Sequence, residues 1–439
     1  MITLQAPASK SVSHRMLIAA SLAHGVSLVR HALSSADLER TRTILQTAGA
    51  SLEDLGDGNW RVQGMTCGPE GGTNVPADCY VGESGTTCRL LTAVLAAGHG
   101  AFRIHGVDRM HERPIGALTA ALRALGARVD FEGKDGYPPL TLTTDGLSGG
   151  DVDMSVDESS QFLSGLLLAA PFCRTPLRIS LTGKKVVSWP YVGLTLQVLE
   201  DFGIDVSVEH LTGDVWQEVP WKSVTEVRPG ELRITVRPGL YRSGEYQVEG
   251  DWSGASYLLA AGAVGRKSVL VTGLRADSLQ GDRAILNILK SMGASVEIRN
   301  DGILVSPSAL HGITVDMGAC PDLVPTVAMT AAYAAGDTRL TNIAHLRIKE
   351  CDRIAACAAE LSRIGVGVEE GTDFLIIHGT APQAPSIPDG TVFHTYNDHR
   401  IAMAASLLGL GSGARVVVED PAVVRKSFPE FWNVWSALA

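Results

Sequence analysis

The feature that most constrains the fold is internal repetition. Six times along the chain a polar cluster leads into an Ala/Leu-rich segment: SVSHRMLIAASLAHG, SGTTCRLLTAVLAAG, SSQFLSGLLLAAPF, SGASYLLAAGAVG, LVPTVAMTAAYAAG and DHRIAMAASLLGLG. Each predicts a helix that is apolar nearly all round, and therefore one buried in a core. A β-rich run follows, then a second helix, a glycine and a further strand. Five of the second helices close on Gly49, Gly126, Gly203, Gly293 and Gly365. Glycine there fits the left-handed cap of a helix end, and the alternating residues after it predict half-buried strands. Three copies precede about residue 240 and three follow it.

A chain of 439 residues is too long for one core. Two closed globules of three repeats each suit it better than a solenoid. The stretch 208–247, with two Trp and several Pro, breaks the period and predicts an interdomain crossing. The N-terminal ITLQAP precedes the first repeat and is free to pair in the other domain.

The polar clusters sit at corresponding places. They are Lys10-Ser11 with Arg15, Glu83 to Thr87 with Arg89, Ser159-Ser160-Gln161, Asp251 to Ser253, Asp322, and Asn397 to Arg400. Ser, Thr, Asp and Asn there serve as ordinary N-caps, worth about 1 kcal/mol each. Capping does not explain the cations, which oppose the helix dipole by about 0.3–1 kcal/mol apiece. The starts of second helices repeat the theme with Arg109 and Arg113, with Lys349 and Arg353, and with Lys426. Cations gathered at helix N-termini make sense if an anion lies among them. With a net charge of −10, the chain as a whole repels anions and nucleic acid, so the basic pocket must be local. Arg suits bidentate carboxylate and phosphate; Lys acts as a point charge.

No phosphate-binding GxxxxGK[ST] loop, dinucleotide fingerprint or HExxH is present, so ATP, NAD and zinc have no support. The seven cysteines include no CxxC, which predicts reduced cytosolic thiols. Cys351 and Cys357 are expected on one helical segment. No apolar run is long enough for a membrane span, and the N-terminus has no apolar signal core.

Eight motifs, in order, carry a resemblance to the 5-enolpyruvylshikimate-3-phosphate synthases. They are ASKSVSHR from Ala8, GESGTTCR from Gly82, RMHERP from Arg109, SSQF from Ser159, Ser188 with Tyr191, KECDR from Lys349, Asp398-His399-Arg400, and KSFP from Lys426. They run from residue 7 to about 431. The family fold implied is a mixed α/β (α+β) inside-out barrel with two globular domains, each of three βαβαββ repeats. The domains would be 10–247, on the shikimate 3-phosphate side, and 1–9 with 248–439, the active site lying in the cleft.

The implied activity is transfer of the enolpyruvyl group of phosphoenolpyruvate to the 5-hydroxyl of shikimate 3-phosphate, a step towards chorismate and the aromatic amino acids. By the same resemblance, shikimate 3-phosphate meets Lys10, Ser11, Arg15, Ser159, Ser160, Gln161, Ser188, Tyr191, Asp322 and Lys349. Phosphoenolpyruvate meets Lys10, Gly85, Arg113, Gln161, Arg353, Arg400 and Lys426. Asp322, Glu350 and Lys10 are the acid/base candidates; His399, His345 and Glu83 are further candidates, Glu83 being expected to pair with Arg89 or Arg113. Without the resemblance, Glu350 reads as an i,i+3 partner of Arg353 on one helix and Asp322 as an N-cap. No metal or cofactor, no nucleic acid and no membrane are implied; a cytoplasmic monomer is. Two other readings are a UDP-N-acetylglucosamine enolpyruvyl transferase and a non-catalytic anion-binding repeat protein. Ser11 after Lys10, and no Cys in the loop 109–114, disfavour the first. The acid/base set disfavours the second.

Overall fold

The computed structural model describes residues 1–225 and 227–438. The chain forms two compact units, Lys10–Val248 and Met1–Ser9 with Glu249–Ala439.

In the unit Lys10–Val248, three helices are almost wholly buried: Lys10–Leu22, Gly85–Ala96 and Gln161–Ala169. They are the apolar segments of the three repeats, and they bury on all sides because no face is polar. Each repeat contributes one sheet. The first runs Glu245–Gln247, Val26–Arg30, Trp60–Gln63, Ser51–Asp54. The second runs Ala77–Gly82, His99–Gly106, Leu140–Asp145, Arg128–Phe131. The third runs Gly150–Ser155, Leu177–Thr182, Leu232–Val236, Val206–Thr212, Val215–Val219.

The other unit repeats the plan. Its buried helices are Trp252–Val264, Val324–Ala331 and His399–Ser412. One sheet runs Ile2–Gln5, Val269–Thr272, Gly302–Ser306, Ser295–Arg299. A second centres on Ala334–Thr341, flanked by Leu375–Thr380 and, on the other side, by Leu310–His311 and Thr314–Asp316. The third has two strands, Thr391–Phe393 and Val416–Val418. No sheet closes on itself; the buried helices are the interior.

Each of the six described sheets contains a parallel pair, the sheet around Ala334–Thr341 two, and in four of the six the parallel strands are joined across a buried helix. In the remaining two the first strand is exchanged. Ile2–Gln5 precedes the helix Lys10–Leu22 in sequence, yet pairs with Val269–Thr272. Glu245–Gln247 precedes the helix Trp252–Val264, yet pairs with Val26–Arg30. That exchange is why the chain crosses between units twice.

The stretch 208–247 is not a linker, contrary to the sequence expectation. It supplies strands to the third sheet of its own unit, and the crossing is confined to Val248–Glu249. Its Trp residues pack instead of marking a spacer: Arg233 lies over the Trp216 ring at 3.8 Å. Cys351 likewise lies ahead of the helix Arg353–Arg363 that holds Cys357, because Asp352 caps that helix by accepting from the Ala355 amide. Gly49, Gly126, Gly203, Gly293 and Gly365 all have positive φ.

Candidate active site

In the unit Lys10–Val248, a buried chain of hydroxyls fixes the helix starts. His14 Nδ1 meets Thr41 Oγ1 at 2.8 Å, Thr41 meets Thr87 Oγ1 at 2.8 Å, and the Thr87 hydroxyl donates to Ser84 Oγ at 2.7 Å. Burial pulls the His14 pKa down to about 3, so the ring is neutral and serves only as a strut. Lys10 opens its helix and pairs with Asp37 at 3.2 Å.

Gly85 lies against two buried guanidiniums. A Cβ there would fall 2.5 Å from Arg113 Nη2 and 2.6 Å from Arg89 Nη1. Arg89 donates to the carbonyl oxygens of Gly85 (3.3 Å) and Pro114 (3.0 Å). Arg113 donates to the Glu83 backbone carbonyl at 3.3 Å. Gln161 opens the third helix and donates to Thr86 Oγ1 at 3.0 Å, which ties Ser159-Ser160-Gln161 to the Gly85 turn.

Ser188 takes the left-handed backbone (φ 55°) ahead of the helix that begins at Trp189 and carries Tyr191. For a residue with a Cβ this costs about 1–2 kcal/mol and aims the side chain off the helical path. Arg15 is enclosed: it donates to Thr195 Oγ1 at 2.8 Å, the Ser11 carbonyl at 2.9 Å and the Tyr191 carbonyl at 3.0 Å, and burial lowers its pKa to about 10. Arg109 forms an exposed pair with Glu112.

The other unit builds its cluster around Arg353, whose side chain is 2% exposed. Nε donates to Asp398 at 2.7 Å, Nη1 to Asp322 at 2.9 Å and Nη2 to Glu350 at 2.9 Å. Arg400 reaches the second Asp322 oxygen at 2.7 Å, and Lys426 reaches the second Glu350 oxygen at 3.3 Å. Three chain segments therefore meet at one guanidinium, and Lys426 brings a fourth to the cluster through Glu350.

Their local structure differs from the sequence reading in three places. Asp322 lies within the short 3-10 turn Pro321–Leu323 and caps nothing with its side chain. Glu350 pairs with Arg353 but precedes the helix instead of sharing it. Lys426 ends a 3-10 turn, Pro421–Lys426, instead of starting a helix. Asp398 caps the helix His399–Ser412, and the left-handed Tyr396 and Asn397 (φ 53° and 55°) turn the chain into it. His399 and His345 are both buried, His399 with Nδ1 3.8 Å from Asp398 Oδ1. Lys349 is half-buried, and its charge bears on Asp322.

Electrostatics sets the roles available. Burial alone would raise the Asp322 pKa, but Arg400, Arg353 and Lys349 outweigh it and hold the carboxylate well below its usual range. Burial works against the Arg353 charge too, and Asp398, Glu350 and Asp322 together keep it firmly ionised. Asp282 was not foreseen. It is 2% exposed, accepts from the Ser253 hydroxyl, and is pushed up to about 7 by burial and by Asp322. The available signal was its position: Gln280-Gly281-Asp282 stands at the start of a second helix, as Arg109–Arg113 and Lys349–Arg353 do.

Two carboxylates clamped by Arg353, Arg400 and Lys426 form a cluster suited to moving protons beside an anion. Comparison with known proteins agrees. The sequence profile of EPSP synthase (3-phosphoshikimate 1-carboxyvinyltransferase) matches residues 2–218 and 222–435. A 3-phosphoshikimate 1-carboxyvinyltransferase of Thiobacillus denitrificans is 41% identical, over all of this chain and 96% of its own length. One from Marinomonas sp. is 38% identical over 99% of this chain and 96% of its own. Among solved structures, the EPSP synthase of Acinetobacter baumannii superposes with a TM-score of 0.77 at 26% identity, covering 100% of this chain and 95% of that one. The enolpyruvyl transferase NikO of Streptomyces tendae shares the fold, with a TM-score of 0.72 at 18% identity over 100% of this chain and 94% of that one. With the profile covering nearly every residue, and full-length relatives near 40% identity, the chain belongs to the EPSP synthase family.

Proposed function

We propose that this chain transfers the enolpyruvyl group of phosphoenolpyruvate to the 5-hydroxyl of shikimate 3-phosphate and releases phosphate. The observation that carries the residue assignment is the Arg353 cluster, which joins Asp322 and Glu350 to Arg400 and Lys426. Asp322 takes the proton of the 5-hydroxyl as its oxygen attacks the central carbon of phosphoenolpyruvate. Glu350 moves the proton that the methylene carbon gains. The product of addition is a tetrahedral ketal. Loss of phosphate and of one methyl proton then restores the enol ether, with Lys10 donating to the leaving group.

A carboxylate with a depressed pKa is a weak base. Asp322 therefore needs its arginines drawn off before it acts, and an anionic substrate does this by competing for the Arg353 and Arg400 donors. Binding of phosphoenolpyruvate would thus switch on the base. Ser11, Arg15, Ser159, Ser160, Gln161, Ser188, Tyr191 and Lys349 serve the shikimate 3-phosphate. Gly85, Arg113 and Gln161 serve phosphoenolpyruvate alongside the arginines, with the buried His345 and His399 as supporting groups. The enzyme acts as a cytoplasmic monomer on small molecules; no described helix is long and apolar enough to cross a membrane.

Release of inorganic phosphate from phosphoenolpyruvate, assayed with shikimate 3-phosphate, with UDP-N-acetylglucosamine and with neither, tests the reading. Phosphate is expected only with shikimate 3-phosphate. Release with the nucleotide sugar instead, or none at all, would defeat it.

A further inference from the structure

The chain leaves one unit after Ser9 and returns at Glu249, and Lys10 is the first residue beyond the exit. Within the unit they share, the outgoing and returning strands run antiparallel. Ser9 N–H donates to the Glu249 carbonyl at 2.8 Å, Asp251 N–H donates to the Pro7 carbonyl at 2.7 Å, and Ala8 bridges Gly250.

The Gln280 side chain, 7% exposed, spans both strands. Its Oε1 accepts from the Ser9 hydroxyl at 3.2 Å and from the Trp252 amide at 3.1 Å. Its Nε2 donates to Glu249 Oε1 at 2.9 Å and to the Gly250 carbonyl at 2.8 Å. Both lone pairs and both N–H groups are used, which is all that a primary amide offers. Ser278 closes the set, donating to Glu249 Oε1 at 2.9 Å and accepting from the Gln280 backbone N–H at 3.1 Å. No other side chain meets these demands: leucine leaves buried donors and acceptors unmade, and glutamate sets a carboxylate against Glu249.

A general packing role would not require a residue that grips the exit strand, the return strand and a helix start at once. Ser9 is held through its backbone by Glu249 and through its hydroxyl by Gln280, one peptide bond before Lys10. We propose that Gln280 is a positioning residue for Lys10, a latch that pins both crossing strands and so fixes where the Lys10 ammonium is delivered. The proposal rests on the assignment of Lys10 to the reaction. Misplacing a reacting group by about 1 Å costs on the order of 10² in rate.

A double-mutant cycle in the full-length enzyme tests it. The readouts are kcat/KM by phosphate release and the Kd for shikimate 3-phosphate. Gln280→Leu is expected to lower kcat/KM by roughly 10- to 100-fold, and in a Lys10→Ala background to lower neither quantity further. Gln280→Glu is expected to be impaired, and Gln280→Glu with Glu249→Gln to recover in part, because the bond between positions 280 and 249 is remade in the opposite sense while the one to the Gly250 carbonyl is not. Multiplicative losses of Gln280→Leu and Lys10→Ala would overturn the latch, as would wild-type rates in Gln280→Leu or no rescue by the swap. If Gln280→Leu does not fold, Gln280→Glu takes its place in the cycle. Unchanged turnover and binding in Lys10→Ala would remove the role of Lys10, and the latch with it. Wild-type turnover checks the reaction independently of both.

Discussion

Glu350→Gln separates proton transfer from mere charge balance. The carboxylate is 12% exposed and bridges two cations, Arg353 Nη2 at 2.9 Å and Lys426 Nζ at 3.3 Å. Glutamine keeps the shape but turns one oxygen into a donor, so one contact becomes donor against donor. Losing one charge-assisted hydrogen bond costs about 1.5–3 kcal/mol. The upper bound is the roughly 3–5 kcal/mol of breaking a buried pair. Arg353 still holds Asp322 at 2.9 Å and Asp398 at 2.7 Å, so the lower figure is expected and the fold survives. Turnover is different: one general acid or base contributes about 10²–10⁴ in rate. Steady-state phosphate release should therefore fall at least about 10², while calorimetric binding of shikimate 3-phosphate falls far less, since of the groups assigned to it only Asp322 and Lys349 adjoin Glu350. Near-normal turnover would show that another group moves the methylene proton. A binding loss as large as the rate loss would show that Glu350 is only a counter-ion.

Three further outcomes follow from geometry. Asp282 has a folded pKa of about 7, above the usual carboxylate value, so its stabilising share is complete at acid pH and is lost as pH rises towards 7. Asp282→Asn should leave stability near pH 3 unchanged and raise it at pH 8 by up to about 4 kcal/mol in urea unfolding, and an equal effect at both pH values would contradict this. Gly85→Ala places a methyl 2.5 Å from Arg113 Nη2 and should raise the KM for phosphoenolpyruvate by about tenfold through a displaced guanidinium; an unchanged KM would take Arg113 out of that role. Because arginine and lysine supply the charge clamp, turnover should persist in a metal chelator, and loss restored by magnesium would refute that.

The buried helices were legible from sequence because each is apolar around its whole circumference, a pattern with few other uses. The exchanged strand Ile2–Gln5 was legible as spare, since it stood before the first repeat. The strands Val215–Val219 and Leu232–Val236 were not, because the Trp and Pro residues between and around them read as a break in the period and hid the alternation of LRITV and VWQEV. At the site, the motifs located Asp322, Glu350 and Arg353, but the joining of three segments at one guanidinium is a property of tertiary structure. Asp282 and Gln280 escaped for a related reason: a lone Asp or Gln in a turn looks solvated until its partners at Ser253, Ser9 and Glu249 are brought beside it.

The reciprocal exchange of first strands also orders events at the ribosome. Ile2–Gln5 is made well before its partner Val269–Thr272, which emerges some 260 residues later. Through most of synthesis it is an unpaired strand edge, exposed to wrong partners. Lys10–Val248, by contrast, contains every strand of its own three sheets, including the late Glu245–Gln247, and can close before the rest exists. The nascent chain thus carries a finished globule flanked by a waiting tail. An N-terminal fusion or a shortened start would be felt last, in the half completed after it, with Val269–Thr272 left as an open edge.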